Sequence, residues 1–204
     1  MEKQDIRSMY LTELEEMLGG LGQPKFRAAQ LYSWLQSGTT DFDNMTNIPV
    51  LLRDELKEKT YIADVKIVRR LASKLDETVK YVYELYDGEY IESVLMKYEH
   101  GYTVCISTQV GCRMGCSFCA SGIAGLTRNL TASEMLAQIT AAQRDNGIRV
   151  SNIVMMGMGE PLDNFDNSVR FLKLVSDSGG LNIGLRHISL STSGVVSGIE
   201  KLKE

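Results

Sequence analysis

The chain has 204 residues, is 44% hydrophobic and carries a formal net charge of −4, enough apolar material for a sizeable core in one or two domains. The negative balance excludes a chain that is basic throughout, so any nucleic-acid surface has to be local or lie elsewhere. No stretch approaches the roughly 20 apolar residues of a membrane span, and the charged start MEKQDIRSMYLTELEEM lacks the apolar run of a signal peptide, so a cytoplasmic location without membrane contact is expected.

Residues 1–62 read as a helical accessory domain. Leu11, Leu14 and Leu18 recur at helical spacing, and the glycines after Leu18 end that segment. QPKFRAAQLYSWLQSG places Pro24 near a second helix start, with Phe26, Ala29, Leu31 and Trp34 available to a buried side, while Lys25 and Arg27 form a solvated face. IPVLLRDELKEKT is a third helix with Pro49 near its first turn. Residues 63–100 form a β-hairpin extension and linker: VKYVYELY and YIESVLMKY flank Asp87-Gly88, a strong hairpin signal.

From residue 101 the pattern alternates. TVCIS, NIVMM and RHISLS are strands, separated by helices in LTASEMLAQITAAQRDNG and DNSVRFLKLVSDSGG, and VSGIEKLKE starts another helix. Thr131 and Glu134 make a capping box and Gly147 closes that helix. Such units predict an α/β parallel sheet or barrel with its chemistry at the carboxyl ends of the strands.

The loop after TVCIS is QVGCRMGCSFCASG, with Cys112, Cys116 and Cys119 in eight positions, and the fourth cysteine, Cys105, lies seven residues upstream. Reduced, clustered thiols point to metal or redox chemistry. A structural zinc site needs four ligands, and neither a second CxxC nor a suitably spaced histidine accompanies these three; His100 and His187 read as ordinary strand or loop residues. A thioredoxin-type pair leaves Cys112 surplus. An iron–sulfur cluster with one open iron is favoured over zinc and over a merely structural role. GMGEP, at the end of NIVMM, offers backbone room at Gly159 and a carboxylate at Glu160 for an ammonium group; without the thiols upstream it would be an ordinary turn. On TVCIS, Thr103, Cys105 and Ser107 share one face and Val104 and Ile106 the other. The small polar face is expected to line the site, though a buried cysteine is by default a small hydrophobe. Ser191 at a strand end and Glu92 on YIESVLMKY are uninformative by themselves.

CxxxCxxC with Phe118 before its last cysteine resembles the signature of radical S-adenosylmethionine (SAM) enzymes. TVCISTQVGCRMGCSFCASG, NIVMMGMGEPL, ISLSTSGVV and the helical GQPKFRAAQLYSWL together resemble the RlmN/Cfr family of radical SAM RNA methyltransferases over essentially the whole chain. The resemblance implies a partial radical SAM (β/α) barrel, truncated after about three strand–helix units. It also implies a 4Fe–4S cluster on Cys112, Cys116 and Cys119, and SAM held at Gly159, Glu160 and Ser191, with Glu160 near the methionine amine. Glu92 matches the proton acceptor, and Cys105 matches the cysteine that resolves a protein–RNA adduct through a disulfide. The implied reaction methylates adenine C2 in 23S rRNA and tRNA, with an electron donor such as flavodoxin and a monomeric full-length protein. The methyl-carrying cysteine of that scheme has no match here, so residues 1–204 read as an N-terminal portion, inactive alone. Two alternatives are a Cfr-like adenine C8 methyltransferase, disfavoured by GMGEPL and STSG, and a non-catalytic RNA-binding fragment, disfavoured by the intact thiol motif.

Overall fold

The computed structural model describes residues 3–203. Its elements in chain order are β1 (Gln4–Asp5), α1 (Leu11–Gly20), α2 (Phe26–Gln36), α3 (Val50–Lys59), β2 (Thr60–Tyr61), β3 (Lys66–Ala72), β4 (Val79–Glu84), β5 (Tyr90–Tyr98), β6 (Gly101–Cys105), β7 (Gln109–Gly111), β8 (Leu126–Asn129), α4 (Ala132–Asn146), β9 (Val150–Met155), α5 (Phe165–Ser176), β10 (Ile188–Leu190) and α6 (Val196–Lys201). Short 3-10 turns interrupt the connections.

Six strands form one sheet in the order β10-β9-β6-β5-β4-β3. β6, β9 and β10 are parallel and joined through α4 and α5, as the alternating pattern predicts. The hairpin strands β4 and β5 are antiparallel, and β5 pairs antiparallel with β6, so the hairpin continues the parallel strands in a single sheet. Gly88 supplies the positive φ of 82° that closes the hairpin loop. β3, absent from the sequence reading, adds an antiparallel edge to β4. Its residues are almost all exposed, so no alternation marks it, and Lys66, Arg69 and Arg70 guard the edge against further pairing.

Helices cover one face of the sheet. Val104, Ile106, Val150 and Ile153 are buried together with Met135, Leu136 and Ile139 of α4 and with Phe171, Leu174 and Val175 of α5. Burying one such side chain stabilises a fold by about 1.5–3 kcal/mol. α4 is buried along Ala132–Ala142, because the amino-terminal segment packs on its other side. Its alanines and mostly uncharged side chains (ASEMLAQITAAQ, with Glu134 the one charge) allow both approaches. Arg7, fully buried, donates through Nη2 to Thr140 Oγ1 at 3.0 Å, Ser133 N donates to Ser8 Oγ at 3.0 Å, and Arg170 of α5 clasps Glu13 of α1 at 2.6 and 3.0 Å. Burial pushes the Arg7 guanidinium down to about 10, against the pull of nearby Asp64.

Two details of the helical reading are corrected. α1 runs through Gly19 and Gly20, and the chain leaves it only at Leu21. α2 buries Ala28, Leu31, Tyr32 and Leu35, whereas Phe26 and Ala29 are exposed and Trp34 is partly buried. The stripe is rotated by about one residue because α2 docks through Tyr32 and Leu35. Phe26 instead stacks under the Arg27 guanidinium, 4.9 Å from the ring centre.

Candidate cluster and cofactor site

The thiol loop is held at both feet by a small antiparallel ribbon, β7 with β8, that sequence patterning missed because its strands are three and four residues long. Cys112 N donates to Gly125 O at 2.9 Å, and Gly111 (φ 74°) comes so close that a Cβ would sit 2.0 Å from Gly125 O. Gly111→Ala is therefore expected to spring the base of the loop, since both the conformation and the space forbid a side chain. Faster proteolysis between residues 111 and 126, with the far-ultraviolet circular dichroism of the sheet preserved, is the expected readout. At the other foot, Arg128 is gripped by Glu134 (2.9 and 2.9 Å) and by Asp87 from the hairpin loop (2.6 Å). The capping box is present as expected, with Thr131 N donating to Glu134 Oε2 at 2.9 Å and Glu134 N to Thr131 Oγ1 at 3.3 Å. Glu134 thus serves both helix and loop.

Along the loop, Cys112 is buried, Cys116 half-buried and Cys119 exposed, and all four cysteines of the chain are free thiols, so the disulfide associated with Cys105 is not formed. The Ser121 hydroxyl holds the Cys119 thiol below its ordinary range. Phe118 and Ile123 stand 92% and 85% exposed, large apolar side chains on a loop with nothing packed over it. Among the described residues no three Cys, His, Asp or Glu side chains lie close enough together to hold a single metal ion. The donor set itself suits a cluster, because residues 112–119 offer three thiols and no carboxylate or imidazole.

The GMGEP turn lies at the carboxyl end of β9, beside that loop. Ser107 fastens it: its Oγ donates to Glu92 O at 2.6 Å and accepts from Met158 N at 2.9 Å. Buried Gln138 of α4 then pairs with the Ser107 main chain, accepting from its N at 2.8 Å and donating to its O at 2.9 Å. Gly159 has φ 97°, and a Cβ there would lie 2.5 Å from Gln109 Cβ, so in this structure the glycine is needed for the close approach of Gln109. Glu160 is 4% exposed. Its Oε1 accepts from Leu162 N at 3.0 Å and its Oε2 from Ser193 N at 2.7 Å. The carboxylate therefore clamps its own turn and the STSG loop after β10, which carries the exposed Ser191. Gln109, wholly buried, accepts from Glu160 N at 2.8 Å and donates to Asn129 Oδ1 at 2.8 Å and Asp163 Oδ2 at 2.9 Å. Gln109, Gln138, Asp163 and Ser193 were not singled out from sequence. Isolated amides, an aspartate and a serine carry no spacing signal.

The sheet face opposite the helices bears a cavity of about 560 Å³ lined by Thr103 and Cys105 of β6, Val94 and Met96 of β5, Asn152 and Met156 near β9, and Ser189 of β10. Thr103 and Cys105 face it as the alternation predicts, while Ser107 is turned into its hydrogen bonds. Burial pushes the Cys105 thiol up. His100 and His187 also border this cavity, His187 Nδ1 lying 3.0 Å from Asn152 Oδ1. Glu92 shares the parity of Val94 and Met96 on β5, is exposed, and pairs with Lys80 of β4 at 2.8 Å.

A three-thiol loop and a glycine–glutamate turn at the ends of adjacent parallel strands define a radical SAM domain, and residues 106–204 match the Radical SAM superfamily. Residues 4–62 match the family described as ribosomal RNA large subunit methyltransferase N-terminal domain. Over nearly its whole length the chain is similar to proteins of the RlmN family within that superfamily. It is 54% identical to a probable dual-specificity RNA methyltransferase RlmN of Alkaliphilus oremlandii, over 100% of this chain and 60% of that protein. The RlmN of Clostridium acetobutylicum is 52% identical over 93% of this chain and 55% of its own length. A radical SAM methyltransferase of solved structure from Sphaerobacter thermophilus superposes with a TM-score of 0.90 at 43% identity, covering 98% of this chain and 60% of that one. The chain thus spans somewhat more than half the length of these relatives.

Proposed function

We propose that residues 1–204 form the cluster- and SAM-binding part of an enzyme that methylates adenine C2 in 23S rRNA and tRNA. The observation that carries this reading is the adjacency of the thiol loop and the Glu160 turn at the ends of β6 and β9, joined through buried Gln109. Cys112, Cys116 and Cys119, buried, half-buried and exposed in turn, are the proposed cluster ligands. Gly159, Glu160 and Ser191 are the proposed SAM contacts. A 4Fe–4S cluster held by these thiols would supply the electron for reductive cleavage of SAM, the radical chemistry that an electrophilic carbon closed to ordinary methyl transfer requires. Glu92 is proposed to accept a proton, with Lys80 holding its carboxylate on the open face. Cys105, facing the cavity, is the proposed resolving thiol. An external reductant such as flavodoxin completes the scheme. No described helix is long and apolar enough to cross a membrane.

The test joins residues 1–204 to the remaining part of the Alkaliphilus oremlandii relative and supplies hypomethylated ribosomal RNA, transfer RNA, labelled SAM and a reductant. Label at adenine C2 is the expected result. Label at C8 favours the Cfr-like alternative, and SAM cleavage with unlabelled RNA overturns the RNA methylation reading. All four cysteines of residues 1–204 already have proposed roles, so this stretch alone is expected to leave RNA unlabelled.

A further inference from the structure

Arg113 stands between Cys112 and Cys116, and the radical SAM scheme gives it no part. Its guanidinium forks onto Asp163: Nε lies 2.9 Å from Oδ2 and 3.1 Å from Oδ1, and Nη2 also donates to Oδ1. Asp163 sits three residues after Glu160, and its side chain is 11% exposed. The same Oδ2 accepts from Gln109 Nε2 at 2.9 Å, and Gln109 Oε1 accepts from Glu160 N at 2.8 Å. Hydrogen bonds therefore run without a break from the thiol loop through Asp163 and Gln109 to the Glu160 turn, and from Glu160 to Ser193 beyond β10.

A pair with one partner as exposed as Arg113 (63%) contributes little to global stability. A planar guanidinium on a carboxylate nevertheless fixes direction as well as distance, and here the carboxylate is anchored from behind by a buried amide. Beyond Arg113 the loop is largely exposed through Ala120, so this fork is the contact that ties its first half to the rest of the site. We propose that the Arg113–Asp163 pair is a positioning latch that sets the Cys112 end of the thiol loop against the Glu160 turn, and so fixes how a bound cluster faces SAM. This inference rests on the radical SAM reading of the site.

Two measurements test the latch, one of which needs no cofactor. In the metal-free chain, Arg113→Ala and Asp163→Asn are expected to speed amide exchange across residues 112–125 and 159–163 by about tenfold, with exchange in β9 and α4 unchanged. After anaerobic reconstitution, both variants are expected to keep the parent's iron content. The SAM concentration that half-shifts the reduced cluster's electron paramagnetic resonance spectrum should rise about five- to tenfold, reflecting the lost charged fork. Arg113→Lys, which keeps the charge but not the fork, should fall between. Unchanged exchange, or a SAM titration that superimposes on the parent's, overturns the latch. A parent chain that loads iron yet never responds to SAM overturns the reading of the site itself, whatever the exchange shows.

Discussion

Replacing Cys112, Cys116 or Cys119 singly with alanine is expected to abolish the brown iron–sulfur chromophore after anaerobic reconstitution, whereas Cys105→Ala keeps it. The contrast follows from position. The three loop thiols are held on one span between Gly111 and Gly125, and with one removed the remaining two cannot hold a cubane that normally takes four thiolates. Cys105 lies on β6, facing the cavity, and burial raises its thiol pKa, so fewer molecules carry it as a metal-binding thiolate. Iron and acid-labile sulfide assays, with the visible absorbance of the chromophore, provide the readout. Stoichiometric zinc without iron in the parent would falsify the cluster assignment. A Cys105→Ala variant that loses iron while folding normally would move the ligand set onto the strand.

The parts of the site that were legible in the sequence are those whose chemistry depends on residue type at fixed spacing. CxxxCxxC, GMGEP and the Thr131–Glu134 box announce themselves because thiols, glycines and capping side chains act over a few residues of chain. The strand–helix alternation also carried the parallel half of the sheet, since β6, β9 and β10 and their helices each show their own periodicity. What was not legible depends on partners distant in sequence. β3 has no apolar alternation because it is an edge, and β7 and β8 are too short to show a period. Gln109 reaches Glu160 across 51 positions and Arg113 reaches Asp163 across 50, distances over which a lone amide or arginine leaves no pattern. Phe26 shows the same limit in the helical part: its exposure is set by how α2 docks, which the periodicity of eleven residues does not determine.

Glu160→Ala is expected to be the most damaging single change at the GMGEP turn, for reasons of structure as well as of the proposed binding. Its two carboxylate oxygens each take one backbone N–H, from Leu162 and from Ser193. Leu162 is buried, and leaving its N–H without a partner costs about 1–3 kcal/mol, a sizeable share of the roughly 5–15 kcal/mol that holds a domain folded. The N–H of exposed Ser193 turns to water and frees its loop. Each oxygen still has a free lone-pair direction, so the carboxylate can accept from an ammonium group without releasing either loop. Loss of the proposed charged contact is expected to add an affinity penalty of about ten- to a hundredfold. Glu160→Gln separates the two effects, since it keeps one acceptor oxygen for the clamp while removing the charge that attracts an amine. Denaturant unfolding is expected to show a clear loss for Glu160→Ala and a smaller one for Glu160→Gln. In SAM titrations of the reduced cluster, the folded glutamine variant should still be weakened by about tenfold. An unfolding midpoint unchanged in Glu160→Ala would sink the clamp. A folded Glu160→Gln that takes SAM as the parent does would leave Glu160 a purely structural bridge between the ends of β9 and β10, and the amine contact would have to be sought at another residue.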